Sequence, residues 1–408
     1  MTSAESLGVW LDGVRIAELT RRANGSIGCQ YTAEALDRWP RNSPIISCGL
    51  PLGTRRREAM AFCRGLLPEG RALQALADRA GLATRDTFGL LERYGRDVAG
   101  ALVIGRDDPD EGRFGVEPYT SETLEAALDD LDEHPLGAGD DSELSLAGLQ
   151  DKLLLVDLGN GRWGRPLRGR PSTHILKVDD ARRPGLIDVE VDCLELARAA
   201  GLTSVEARRE AFGDTRCLIV SRFDRREEAG GIRRIHQEDL CQALAIDPDA
   251  NGRRAKYESA GGPTFKQAAA LLDSYAKDPP AELDRLVAIL VFTVLIGNAD
   301  AHGKNLALLH PTPDEVRLAP LYDTVPTALW PKLRTDAAMS IGGQVALGDV
   351  TLKDIRREAL LWRHPGDRVE EVAQTTIDAV LAAIASSATA EDSSVAKFVR
   401  KRAGSLRD

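Results

Sequence analysis

The sequence has no surplus of positive charge: 53 Lys and Arg stand against 63 Asp and Glu, a formal net charge of −10 over 408 residues. Tight, sequence-independent nucleic-acid binding by this chain alone is therefore not expected, because it depends on neutralising phosphates with Lys and Arg. No apolar stretch reaches the length of a membrane span, and Met1-Thr2-Ser3-Ala4-Glu5-Ser6 offers neither a basic nor an apolar leader region. A cytoplasmic protein with no membrane partner is expected. The six cysteines (Cys29, Cys48, Cys63, Cys193, Cys217 and Cys241) form no C-x-x-C pair, and they read as buried free thiols rather than zinc ligands. The six histidines contain no H-x-x-x-H spacing, which weakens a metal-hydrolase reading of His302. What is present, 43% hydrophobic and 28% charged, is a globular chain long enough for two or three domains.

The most informative stretch is Ile296-Gly297-Asn298-Ala299-Asp300-Ala301-His302-Gly303-Lys304-Asn305, followed later by Tyr322-Asp323-Thr324. Leu286 to Ile296 is almost wholly apolar and reads as a buried helix or strand, so Gly297 opens a polar turn leaving a core element, where sites are commonly built. Phosphoryl transfer to a hydroxyl needs a carboxylate to orient the nucleophile and accept its proton, and hard oxygen ligands for Mg²⁺. Asp300 fits the first need. Asn305 and Asp323, the latter after an expected strand Val316 to Ala319, fit the second. D-x-x-x-x-N with a later Asp is how kinases divide this labour. The fragment alone fits an ordinary helix terminus better than a site, so its surroundings carry the reading.

The pattern along the chain suggests an α+β protein in two lobes, strands first and helices afterwards. Leu7 to Ile16 reads as a strand, an Asp-Gly turn and a second strand. Helices are expected over Arg55 to Leu67, Arg71 to Ala80 and Phe88 to Tyr94, with a strand over Ala99 to Ile104. We divide the chain into a β-rich part over 1–105, an acidic linker over 106–143 that includes a helix from Ser121 to Glu133, an α/β part over 144–255, and a helical part over 256–408.

Lys177, flanked by apolar residues in the expected strand Thr173 to Val178, either snorkels at an edge or meets an anion. Glu190, early in the next helix, supplies the order strand lysine then helix glutamate that kinases use to fix an ammonium against the α/β-phosphates. Ser145 to Lys152 is a small-residue turn in which Ala147-Gly148 would let backbone N–H groups approach phosphate, with Gln150 and Lys152 beside them. It matches neither G-x-G-x-x-G nor G-x-x-x-x-G-K-[ST], and on spacing alone it reads first as an ordinary turn. Ser221-Arg222-Phe223 leaves the β-rich region as a hinge suited to a nucleotide base, although Phe223 fits a core position as well. His236-Gln237-Glu238-Asp239 precedes an expected helix, Leu240 to Ala245, and fits a plain helix start too.

Together these segments resemble the HipA family of bacterial serine/threonine kinase toxins. The resemblance rests on Gly65-Leu66-Leu67-Pro68-Glu69-Gly70, Phe88 to Leu91, Gly100-Ala101-Leu102, Ser145 to Lys152, Thr173 to Lys177, Arg222-Phe223-Asp224-Arg225, His236 to Leu244, Gly297 to Asn305, Leu318 to Asp323 and Met339 to Gly343, in family order. It implies a two-lobed kinase-like fold using ATP and Mg²⁺, with Asp300 as catalytic base and Asn305 and Asp323 as metal ligands. ATP-binding residues would be Ala147, Gly148, Gln150, Lys152, Lys177, Ser221, Arg222, Phe223, Gln237, His302 and Lys304. Ser145 would be the autophosphorylated serine that silences the enzyme. The implied partners are a HipB-like helix-turn-helix antitoxin, operator DNA only through that antitoxin, and a protein substrate such as an aminoacyl-tRNA synthetase. Asp151 stands where Glu is common and Val189 where Asn is frequent. The rival readings are a catalytically silent corepressor module and a small-molecule kinase.

Overall fold

The computed structural model describes residues 5–109, 114–131, 134–137, 143–146, 151–179, 183–229, 231–330, 333–386 and 393–407. Its first unit is an antiparallel five-stranded sheet in the order Arg57–Glu58, Ile27–Tyr31, Val14–Arg21, Ser6–Leu11, Val103–Gly105. Asp12 and Gly13 both take positive φ, 49° and 76°, which matches the right-handed twist of the two strands they join. The helix expected from Arg55 begins only at Met60 and ends at Gly65, because Arg57 and Glu58 are taken into the sheet edge beside Gly28 and Cys29. Helices Gly70–Ala80 and Thr87–Tyr94 bring Leu76, Leu90 and Tyr94 into the core that holds Leu7 and Ile16 of the sheet.

A second antiparallel sheet runs Ala207–Phe212, Thr215–Ser221, His174–Val178, Lys152–Asp157, Trp163–Leu167, Gly115–Pro118. Its period of two sorts the side chains. Leu153, Leu155, Leu176, Cys217 and Ile219 face helix Ser121–Asp129, packing on Leu124 and Leu128. Leu218 and Val220 face helix Leu186–Ala199, packing on Ile187, Val191 and Leu194. Strand Gly115–Pro118 and helix Ser121–Asp129 lie inside the stretch expected as a solvated linker. Within that helix Glu122 and Asp129 are exposed while Leu124 and Leu128 are buried.

The last unit is built around helix Pro279–Ile296, buried on nearly every side from Leu286 onward. Helices Phe265–Tyr275, Leu352–Leu360, Gly366–Ser386 and Ser394–Arg407 pack against it. Asp278 caps its first turn by accepting from Ala281 N, a contact worth about 1 kcal/mol. Gly297, at φ 71°, ends it in the left-handed conformation, and a Cβ there would meet Phe398 and Ala328 at 2.7 and 2.8 Å. The chain therefore turns sharply out of the core at the polar motif. It re-enters as strand Ala307–Thr312, which pairs with His236–Asp239 and Glu315–Leu318.

Candidate active site

Cross-strand register sets Lys152 directly opposite Lys177, both on the sheet face that helix Leu186–Ala199 partly covers. From the first turns of that helix Glu190 reaches down. Lys177 Nζ donates to Glu190 Oε1 at 2.6 Å and to Asp323 Oδ1 at 2.7 Å. The helix thus supplies the lysine's partner despite Val189 before it. Burial works against the Lys177 ammonium, but Asp323 and Glu190 outweigh it and hold its pKa above the usual lysine value. Asp323 is drawn the other way: Lys177 beside it holds the carboxyl down at about 2. Its backbone sits at φ 51°, uncommon for a residue with a Cβ, and this turns the carboxylate back toward the sheet. Burial pulls Lys152 down to about 8, with the Lys177 charge adding to the effect.

The loop after Gly297 folds on itself. Asp300 N donates to Asn298 Oδ1 at 3.1 Å, Ala299 N to Thr327 Oγ1 at 2.8 Å, and His302 N to Asp300 O at 2.8 Å. Asn305 Nδ2 donates to Asp300 O at 3.1 Å, which joins the two ends of the D-x-x-x-x-N span. The Asp300 carboxylate accepts from the Tyr257 hydroxyl at 2.8 Å. His302 is buried, and burial holds its pKa below the ordinary imidazole value while the nearby Asp300 and Asp323 charges oppose that. Tyr322 Oη donates to Lys304 O at 2.7 Å, which fastens the segment carrying Asp323 to this loop.

Several residues expected beside the nucleotide have protein partners. The Arg222 guanidinium, buried, donates to both oxygens of Asp224, to Ser172 Oγ and to Val98 O. Its backbone N–H goes to Thr173 O. Gln237 Nε2 donates to Asp224 Oδ2, and Lys304 Nζ to Asp239 Oδ2, each at 2.9 Å. Through Val98 O the Arg222 side chain reaches the first unit, and Lys304 Nζ also donates to Gly65 O there at 3.4 Å. Ser221 is tied on both sides to Glu206, and Phe223 lies 5.3 Å from the Tyr322 ring. Ser145 is fully buried, with its hydroxyl donating to Leu66 O at 2.9 Å. Ala147, Gly148 and Gln150 lie outside the described residues.

Hard oxygens suit Mg²⁺, and this site offers them: the ionised Asp323 carboxylate, 41% exposed, and the Asn305 side-chain oxygen, whose amide nitrogen is already engaged. A second group, Cys48, Glu238 and His310, brings ligand-type atoms within 4.8 Å of one another. There Glu238 Oε1 accepts from Cys48 N and lies 3.0 Å from His310 Nε2, and a thiol with an imidazole suits soft ions rather than Mg²⁺. Sequence reasoning passed over Lys256 and Tyr257, and assigned Glu69 no role. Their one local signal is a polar Lys256-Tyr257-Glu258-Ser259 run closed by Gly261-Gly262-Pro263.

With this geometry in hand, known proteins fall into place beside it. The HipA N-terminal domain family matches residues 7–105, and the HipA-like C-terminal domain family matches residues 144–388. Y4mE of Sinorhizobium fredii, which is named as a kinase, is 38% identical over 355 residues, covering 84% of this chain and 82% of its own. The serine/threonine-protein kinase toxin HipA of Shewanella oneidensis is 29% identical over 351 residues, 82% of this chain and 78% of that one. A solved structure of Shewanella oneidensis HipA with HipB and operator DNA superposes with a TM-score of 0.82 at 25% identity. It covers 98% of this chain and 95% of the other.

Proposed function

Since the chain belongs to the HipA family of kinases, we propose that it is an ATP- and Mg²⁺-dependent serine/threonine protein kinase, the toxin of a pair with a HipB-like antitoxin. The observation that carries this reading is the Lys177 ammonium bridging Glu190 and Asp323 at 2.6 and 2.7 Å, which ties a strand, a helix and a loop from three parts of the sequence into one phosphate-facing arrangement. Asp300 orients the acceptor hydroxyl and takes its proton as the γ-phosphoryl group leaves ATP. Lys177 and Lys152 offset the negative charge of the phosphates. A Mg²⁺ held by Asn305 and Asp323 would neutralise charge on the phosphate oxygens. Catalysis of this kind depends on positioning and charge more than on covalent chemistry.

Ser145 is the self-phosphorylation site in this proposal. Buried under Leu66, it must leave its pocket to be modified, and a dianionic phosphate could not return to an apolar, already satisfied position. The substrate class is a protein hydroxyl, with an aminoacyl-tRNA synthetase as the candidate suggested by family resemblance. A HipB-like partner is supported by the solved complex of the Shewanella protein with HipB and operator DNA. We expect Asp300→Gln and Asp323→Ala to abolish labelling from [γ-³²P]ATP and to relieve growth arrest on induction, with circular dichroism unchanged. Labelling that persists in both variants would remove the assignment.

A further inference from the structure

Three side chains close to Asp300 have so far been given no part in the chemistry. We propose that Tyr257 is the positioning residue for the catalytic carboxylate, and that Glu69 of the N-terminal unit holds it in place through Lys256, so that the first unit completes the active site. The inference rests on reading Asp300 as the base. Tyr257 Oη donates to Asp300 Oδ1 at 2.8 Å, leaving Oδ2 for the acceptor's proton. A carboxylate fixed at one oxygen presents the other in a single direction, and misplacement of a reacting group by about 1 Å can cost on the order of 10²-fold in rate.

The Tyr257 ring is itself clamped. His302 meets it edge-on at 5.2 Å, and the Arg334 guanidinium lies 4.6 Å from its centre. Burial and the Asp300 charge push the phenol well above its usual pKa, so it stays a donor. The segment that carries it is sewn to the catalytic loop: Gly303 N donates to Lys256 O at 3.0 Å, and a Cβ on Gly303 would meet Pro263 at 2.4 Å. Lys256, only 4% exposed, donates from Nζ to Glu69 Oε2 at 2.9 Å across the domain boundary. Burial alone would raise the Glu69 pKa, but Lys304 and Lys256 outweigh it and hold the carboxyl below its ordinary range, so the pair remains ionic. Beyond Tyr257, Glu258 accepts from Ser340 Oγ at 2.9 Å, which fixes the segment's other side.

The test uses the full-length chain, following self-labelling from [γ-³²P]ATP and ADP release without added acceptor. Tyr257→Phe is expected to lower the maximal rate by about tenfold or more, while half-saturating ATP and the urea midpoint stay at wild-type values. Glu69→Gln and Lys256→Met each lower the same maximal rate, and their combination lowers it no further, as for two residues acting through one contact. Adding Tyr257→Phe to Asp300→Gln changes nothing more. A full maximal rate in Tyr257→Phe, or additive losses for Glu69→Gln with Lys256→Met, overturns the inference while leaving the kinase reading intact. A wild-type chain that neither labels itself nor releases ADP sinks that reading and this inference with it.

Discussion

Two clusters of buried charge lie on the same protein and are finished differently. At the boundary between the first unit and the hinge, each carboxylate oxygen of Asp97 and Asp224 accepts at least one hydrogen bond: from Arg225 and Ser172 to Asp97, and from Arg222, Gly100 N and Gln237 to Asp224. On the face of the second sheet that carries Lys152 and Lys177, Glu190 Oε2 has no hydrogen-bond partner among the described residues, burial holds its carboxyl above the usual range, and burial pulls Lys152 down to about 8. The first cluster is a lock. The second holds Lys177 and Asp323 charged but leaves Glu190 and Lys152 shifted toward their neutral forms, as suits a site that receives and releases a multiply charged ligand.

The contrast is sharpest when each cluster loses one member. Asp97→Ala leaves the buried Arg222 and Arg225 with Asp224 as their one remaining carboxylate partner among the described residues, and a guanidinium cannot shed its proton to escape. The expected loss is about 3–5 kcal/mol of unfolding free energy, the usual result of breaking a buried ion pair on one side. Urea denaturation followed by tryptophan fluorescence measures it. A loss within experimental error of zero would mean that solvent reaches the hinge cluster freely.

Lys177→Met should behave in the opposite manner. Glu190, already pushed toward its neutral form, can take up a proton when its partner goes, so stability falls less than in Asp97→Ala. Activity falls more: loss of a fixed charge facing the transferring group costs on the order of 10²–10³-fold in turnover. Comparing the initial labelling rate per folded molecule with the urea midpoint in both variants checks the pair of claims. Equal destabilisation with equal residual labelling would erase the distinction between lock and site.

Much of the second cluster was legible in the sequence because its parts carry local signals. Lys177 sits between apolar strand residues, Glu190 opens the next helix, and Asp300 to Asn305 follows a long apolar run. The lock was not legible. Arg225 and Asp97 are 128 residues apart, and Lys304 and Asp239 are 65 apart, so no spacing rule announces their pairing. The protein partners of Arg222, Gln237 and Lys304 leave no local signal for the same reason. The strand at Gly115–Pro118 escaped for the same reason: its partner, Trp163–Leu167, lies far along the chain, and a four-residue edge strand that begins with Gly and ends with Pro looks like a loop. Tyr257 was missed because a hydroxyl held against a carboxylate 43 residues away leaves no periodic trace.

The smallest expected effect isolates Lys152. Its ammonium is penalised by burial and by Lys177, which places its pKa at about 8 against an ordinary lysine value of about 10.4. At pH 8 about half the chains therefore carry a neutral Lys152. A bound polyphosphate favours the charged form and raises the pKa, so binding must draw a proton from buffer, on the order of half a proton per site at pH 8. Lys177 contributes none of this, because Asp323 and Glu190 already keep it protonated. Calorimetric titration with Mg²⁺ and a non-hydrolysable ATP analogue, run at pH 8 in two buffers of different ionisation enthalpy, reads the uptake directly. Wild-type heats should differ between the buffers, whereas Lys152→Met should give the same heat in both. Uptake that persists in Lys152→Met would assign the adjustable proton to Glu190, and would move the soft point of the cluster from the strand to the helix.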